Sequence, residues 1–212
     1  MGDVWLGAAI AGAVIGAVVT PLATDRGLVQ LARVDASSNG LRLASALGGA
    51  AASTAVIMTS QRAGHWLLLP ALLVWASALV AAACCDAVTH RVPTPLVRQA
   101  GVGTAVLLAL GLALHGDWRS LLISGIAAMV SGLTLLICWR FAGAGFGDVR
   151  LATLGGLGLG HATHHGLLVA LAGFALIIGV QAVITLARGE DRRSTFPYGP
   201  ALTIGFLLAA TL

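Results

Sequence analysis

The chain carries eight acidic residues, and their surroundings divide them. Asp3 sits near the first residue and Asp117 in the short turn HGDWR. Asp25, Asp35, Glu190 and Asp191 share polar loops with arginine, so all six read as solvated charges. Asp86 and Asp148 stand apart, each where a long apolar run stops. A carboxylate at membrane depth is costly, and by default it marks function. Acids so placed suit proton-transfer work, either in hydrolysis or in a proton relay. Asp86 opens DAVTHRVPTPL, where Pro93 and Pro95 predict a non-helical turn before the next apolar run. Asp148 closes GAGFGD, where Gly143, Gly145 and Gly147 permit backbone approaches denied to other residues. A carboxylate on such a support can be brought against another helix end.

Other reactive groups form weaker patterns. Cys84, Cys85 and Cys138 make no CxxC pair and lie in or beside apolar runs, which argues against a disulfide framework or a zinc site. His161, His164 and His165 form HATHH, but no acidic residue stands near them, and they read as a solvated turn. The expectation is a site without metal.

The elements that must position the two acids are membrane helices. Of 212 residues, 58% are hydrophobic and 9% charged, and the mean hydropathy is +0.95. A soluble domain carries about 25% charged residues, so lipid is the expected solvent. Apolar runs long enough to cross a bilayer extend from Val4 to Ala23, Leu43 to Ser60, Trp66 to Cys85, Gln99 to Leu114, Ser120 to Trp139 and Gly166 to Ala187, with a last from Pro197 to Leu212. A further run, Asp148 to Gly160, is short and glycine-rich, and either crosses in a protein-lined region or is re-entrant. The expected fold is therefore an all-α polytopic bundle of about eight membrane helices. No basic residue precedes the first run, which reads as a retained span and not a cleaved leader. GGAAAS, Gly48 to Ser53, reads as a close helix-packing face.

Orientation follows from the basic residues, all twelve of them arginine. With eight crossings and the amino end outside, Arg26, Arg33, Arg42, Arg91, Arg98, Arg140, Arg150, Arg188, Arg192 and Arg193 fall inside, and only Arg62 and Arg119 outside. That asymmetry predicts both Asp86 and Asp148 at the cytoplasmic face. It also accounts for the basic character of the chain without any nucleic-acid partner. The longest polar stretch, Thr24 to Arg42, is too short to be a domain.

Three segments then point to one family. CCDAVTHRVPTPL resembles the first aspartate motif of type IV prepilin peptidases, GAGFGDVRLATLGGLGLG is similar to their second, of GxGD type, and FPYGPAL, Phe196 to Leu202, is similar to the Pro-Phe-Gly-Pro element of their last helix. The resemblance covers Trp66 to Leu212, and divides the chain into an amino-terminal two-helix region, 1–62, and a catalytic membrane domain, 63–212. It implies an aspartyl endopeptidase of the bacterial cytoplasmic (inner) membrane that cleaves prepilin or pseudopilin leaders for pilus assembly or secretion. It makes Asp86 and Asp148 the catalytic pair. Two such carboxyls would share a proton, one activating water and the other polarising the scissile carbonyl; because they titrate as a unit, acid and base are not assigned. Thr89 and Pro93 are expected to shape the turn carrying Asp86, and Gly145 and Gly147 to support Asp148. Tyr198, Gly199 and Pro200 line a substrate groove or form a simple kink. Arg150 stands where the family has Lys, and either influences Asp148, anchors the helix, or serves only topology.

Longer family members carry a cysteine-rich zinc insertion after the first span, and Thr24 to Arg42 has no cysteine. No cofactor is required for proteolysis, and S-adenosylmethionine would enter only if N-methylation were retained. Two rival readings stand: a GxGD-type protease with another membrane-helix substrate, and a proton-coupled transporter whose acids relay protons. The oligomeric state is open.

Overall fold

The computed structural model describes residues 2–64, 66–142, 145–160 and 198–211, with positions 168 and 172. All regular structure among them is helical. In lipid an α-helix satisfies its own backbone groups, which is why apolar runs of this length fold this way. The helices are α1 (Gly2–Gln30), α2 (Asn39–Ala63), α3 (Leu69–Thr89), α4 (Thr94–His115), α5 (Trp118–Ala142), α6 (Phe146–Leu157) and α7 (Gly199–Thr211). Five spans are long and apolar enough to cross a membrane: Leu6–Gln30, Asn39–Gln61, Trp66–Thr89, Thr94–His115 and Trp118–Arg140. The outer surface is apolar too: Leu110, Leu122, Ile126 and Met129 are among many bulky side chains facing outward. A water-soluble monomer does not carry such a belt, and the fold has the character of a multi-pass membrane protein.

Helix ends differ from the sequence expectation in ways that matter for the acids. α1 continues past Ala23 to Gln30, so Asp25 lies in a helix, where it pairs with Arg42 at 3.1 Å and accepts from the Ser37 hydroxyl. Asp117 caps α5, accepting from the Ser120 N–H at 3.1 Å and the Ser120 hydroxyl at 2.6 Å. The expected turn around Pro93 and Pro95 is shorter than predicted. α3 runs on through Asp86, and α4 starts at Thr94 with Pro95 in its first turn, where a missing N–H costs nothing.

Small residues set the packing. α1 and α2 form a tight antiparallel pair in which a Cβ on Gly16 would fall 2.0 Å from the carbonyl oxygen of Gly49. Gly48 faces Val80 of α3, so GGAAAS is the packing face its composition predicts. α3 is the central helix, with Trp75, Leu79 and Cys85 fully enclosed. α6 is short: its 12 residues rise about 18 Å, against a hydrocarbon core of about 30 Å. It lies inside the bundle, against α3, α4, α5 and α7. Apart from Leu168 and Ala172, the segment Gly166–Ala187 lies outside the described residues, as do His161, His164 and His165, the Arg188–Arg193 cluster, Gly143, Phe196 and Pro197.

Long-range contacts gather several helix ends at one end of the bundle. Gln30 at the end of α1 accepts from the Leu96 N–H of α4 at 3.0 Å, and the Cys85 thiol points at the Thr24 carbonyl, 3.6 Å away. Trp139 of α5 meets Phe146 of α6 edge-on, with ring centroids 5.5 Å apart. Both acids belong to this end.

Candidate active site

Asp86 occupies the last turn of α3, where that helix is closed by His90. His90 adopts a left-handed conformation, φ 52°, and donates its N–H to the Asp86 carbonyl at 2.8 Å. Thr89 secures the same turn, its hydroxyl lying 2.7 Å from the Cys85 carbonyl and 3.2 Å from that of Arg91. Pro93 is buried against Gly27 of α1 and leads into α4. The turn is thus held from both sides, and the Asp86 side chain, only 4% exposed, points inward.

Asp148 comes to the same place from α6. Gly145 precedes the helix in an extended conformation, and its N–H donates to Asp148 Oδ2 at 3.1 Å. Asp148 therefore caps its own helix, as an acid in the first turn favours. Gly147 meets Val92 in the α3–α4 turn: a Cβ there would come within 2.8 Å of the Val92 Cβ. Only glycine lets α6 approach this closely. Asp148 is 5% exposed, and the contact of Gly147 with Val92 sets the start of its helix on the turn that follows Asp86.

The third contribution is the start of α7. Gly199 is its first residue, and the free N–H at that helix end donates to Asp86 Oδ2 at 2.9 Å. A Cβ on Gly199 would fall 2.8 Å from that same oxygen, so the carboxylate and the backbone meet because the side chain is absent. Tyr198, one residue earlier, accepts the Leu202 N–H at 3.0 Å through its carbonyl and packs against the core. One oxygen of each carboxylate is engaged, while Oδ1 of each accepts no hydrogen bond from a described residue. Two buried carboxyls on neighbouring helix ends have the chemistry to hold and activate a water molecule.

No protein-family model, curated protein or solved structure matches the chain.

Arg150 turns away from the acids. Its guanidinium donates to the Thr94 hydroxyl and lies over the Phe146 ring, 4.8 Å from the centroid, so it ties α6 to the start of α4. Pro200 also points elsewhere, into a groove between α2, α3 and α7. Three supports were not among the expected site residues. Val92 seats Gly147. Trp75 donates from Nε1 to the carbonyls of Leu154 and Gly155 at 2.8 and 3.2 Å, fixing the far end of α6. Thr203 donates to the Leu79 carbonyl at 3.1 Å, fixing α7 to α3.

Proposed function

We propose that this chain is a membrane-embedded aspartyl endopeptidase of the type IV prepilin peptidase kind, which removes the leader of prepilin or pseudopilin precursors. One observation carries the reading: the three segments that resemble that family meet in space, the Gly199 N–H on Asp86 Oδ2 and Gly147, beside Asp148, on Val92 of the turn that follows Asp86. The acids lie 62 residues apart in sequence, and nothing local requires them to meet.

In the proposed reaction the carboxyl pair holds one proton. The ionised member takes a proton from water as the oxygen attacks the scissile carbonyl, and the protonated member donates to the carbonyl oxygen. Collapse of the tetrahedral species breaks the C–N bond, returns a proton to the leaving amine, and yields a new carboxyl and a new amino terminus. The Gly199 N–H holds Asp86 in place through this exchange. Proteolysis of this kind requires no cofactor, and N-methylation with S-adenosylmethionine is no part of the proposal.

Within this reading the chain crosses the bacterial cytoplasmic membrane eight times and presents the pair to the cytoplasm. The ten-to-two arginine distribution supports that orientation. The position of both acids at helix ends favours hydrolysis over a proton relay through the membrane.

The test is coexpression of a prepilin with Asp86→Asn or Asp148→Asn, with leader removal followed by gel shift and mass spectrometry. Either change should lower processing by about 10²–10⁴-fold, the usual scale for a general acid or base. Normal processing by either variant rules out the pair. If the unaltered protein spares prepilins but cuts another membrane helix in an Asp86-dependent manner, the pair stands and the substrate changes.

A further inference from the structure

Exposed arginines gather at the end of the bundle that holds the acids: Arg26, Arg33, Arg91, Arg98 and Arg150. The chain has few acids to set against them. Of the eight, Asp86 and Asp148 are buried, Asp25 pairs with Arg42, and Asp117 caps α5 at the opposite end. Asp3 stands at the start of α1, also far from these arginines. Asp35 follows Arg33 by two positions, and Glu190 and Asp191 come with Arg188, Arg192 and Arg193 in one short segment. That segment brings three cations for two anions, so wherever it folds it adds positive charge overall. Anions that balance the remaining arginines must come from outside the chain.

Two of these arginines flank the start of α4. Arg150 of α6 donates to the Thr94 hydroxyl and covers the Phe146 ring; both partners are neutral and leave its charge unbalanced. Arg98 lies one turn along α4 from Thr94, on the same face, and its side chain makes no hydrogen bond or ion pair with a described residue. Arg98 also heads an apolar row. Val102, Val106 and Leu110 follow it at four-residue steps, 61%, 52% and 58% exposed, along one ridge of α4. A topological bias explains why arginine stands at this end. It does not require cations from two helices to meet at the head of an open apolar ridge. An anion with a hydrocarbon tail matches both parts: guanidinium N–H groups pair with phosphate oxygens, and the ridge takes the tail. A soluble anion would leave the ridge bare, and an acidic peptide would lie in water, away from it.

We propose that Arg98 and Arg150 form a headgroup site for an anionic phospholipid, with its phosphate between α4 and α6 and an acyl chain along Val102, Val106 and Leu110. Basic pockets between membrane helices hold anionic headgroups in this way. The site requires only the membrane character of the fold and is independent of the protease reading. Arg150 lies two residues after Asp148, so a bound headgroup ties the start of α6 to α4 and steadies the helix end that carries the acid.

The test places the full chain in nanodiscs of equal parts phosphatidylglycerol and phosphatidylcholine and weighs the retained lipid by native mass spectrometry. The unaltered protein should retain phosphatidylglycerol in preference to phosphatidylcholine. Arg98→Gln should lower that retention about fivefold, the scale of one arginine near an anionic headgroup. Arg98→Lys keeps the charge and should recover most of it, while Arg33→Gln, at the same end of the bundle, should change it little. Because the Arg98 side chain has no partner among the described residues, Arg98→Gln should unfold normally in lipid-free detergent, which separates lost lipid from lost fold. A photoreactive amino acid at Val106 should label phosphatidylglycerol. The headgroup site is ruled out if retention does not distinguish the two lipids, or if Arg98→Gln and Arg33→Gln lower it equally. Displacement of the lipid by excess inorganic phosphate would mark a soluble-anion site and also rule it out. So would labelling of residues 166–187 from Val106, or a rise in retention when Glu190→Gln and Asp191→Asn are combined, since the chain's own segments would then fill the site.

Discussion

Gly147 decides how near Asp148 can come to Asp86, because the space its side chain would take belongs to Val92. Adding one methyl group must push α6 away from the α3–α4 turn or displace the turn itself. Displacement of a catalytic group by about 1 Å can cost about 10²-fold in rate, so Gly147→Ala should lower leader cleavage on that scale. Val92→Ala in the same chain removes the atom that the new methyl meets, and should restore part of the loss. A cleavage assay on the two single variants and the double variant checks this; strictly additive losses would show that the two residues are not in register. Asp86 and Asp148 stood out in the sequence because acids are scarce in an apolar chain, each visible against its background. Val92 lies inside the first motif, yet nothing in the sequence gave its side chain a part in placing Asp148. Its part depends on a neighbour 55 positions away. Arg150 shows the converse: its charge was visible, while its direction, toward Thr94 and Phe146, was set by packing.

At the scale of elements, the position of Asp148 depends on a helix too short to reach across the bilayer by itself. α6 is held at its far end by the Trp75 indole, which donates to two carbonyls left open where the helix stops. Glycine at position 158 makes room for that ring, since a Cβ there would fall 2.3 Å from Trp75 Cε2. Trp75→Phe keeps most of the packing and removes the donor. A buried acceptor left without its donor costs about 1–3 kcal/mol. The variant should therefore unfold at lower temperature in detergent, with leader cleavage falling alongside; an unchanged transition would mean that the bond carries nothing. The long helices were legible in the sequence, because runs of about 20 apolar residues announce themselves. Their ends were less so. Asp25 and Arg26 look like loop residues, yet α1 continues to Gln30, where contacts with α4 sustain it. The glycine-rich run after Asp148 gave no sign of its use, since its residues answer to side chains on other helices: Phe206 at Gly155, Trp75 at Gly158 and Ser124 at Gly160. Trp75 itself sits in the middle of an apolar run, with nothing beside it to mark a hydrogen-bonding role.

For the whole molecule, the two acids share one end of the bundle with the ends of α1, α4 and α5, and Arg26, Arg91, Arg98 and Arg140 lie in or beside those same helix ends. In the proposed orientation that end faces the cytoplasm. Green fluorescent protein inserted at Asp35 should then fluoresce, and alkaline phosphatase inserted in the Gly116–Asp117 turn should be active; the opposite pair of results would invert the topology. The bond between Gly199 and Asp86 spans 113 residues. The ribosome therefore makes Asp86 and Asp148 well before it makes the donor that seats Asp86. During that interval the growing chain holds both acids without the completed arrangement, so assembly of the site waits for α7 to arrive.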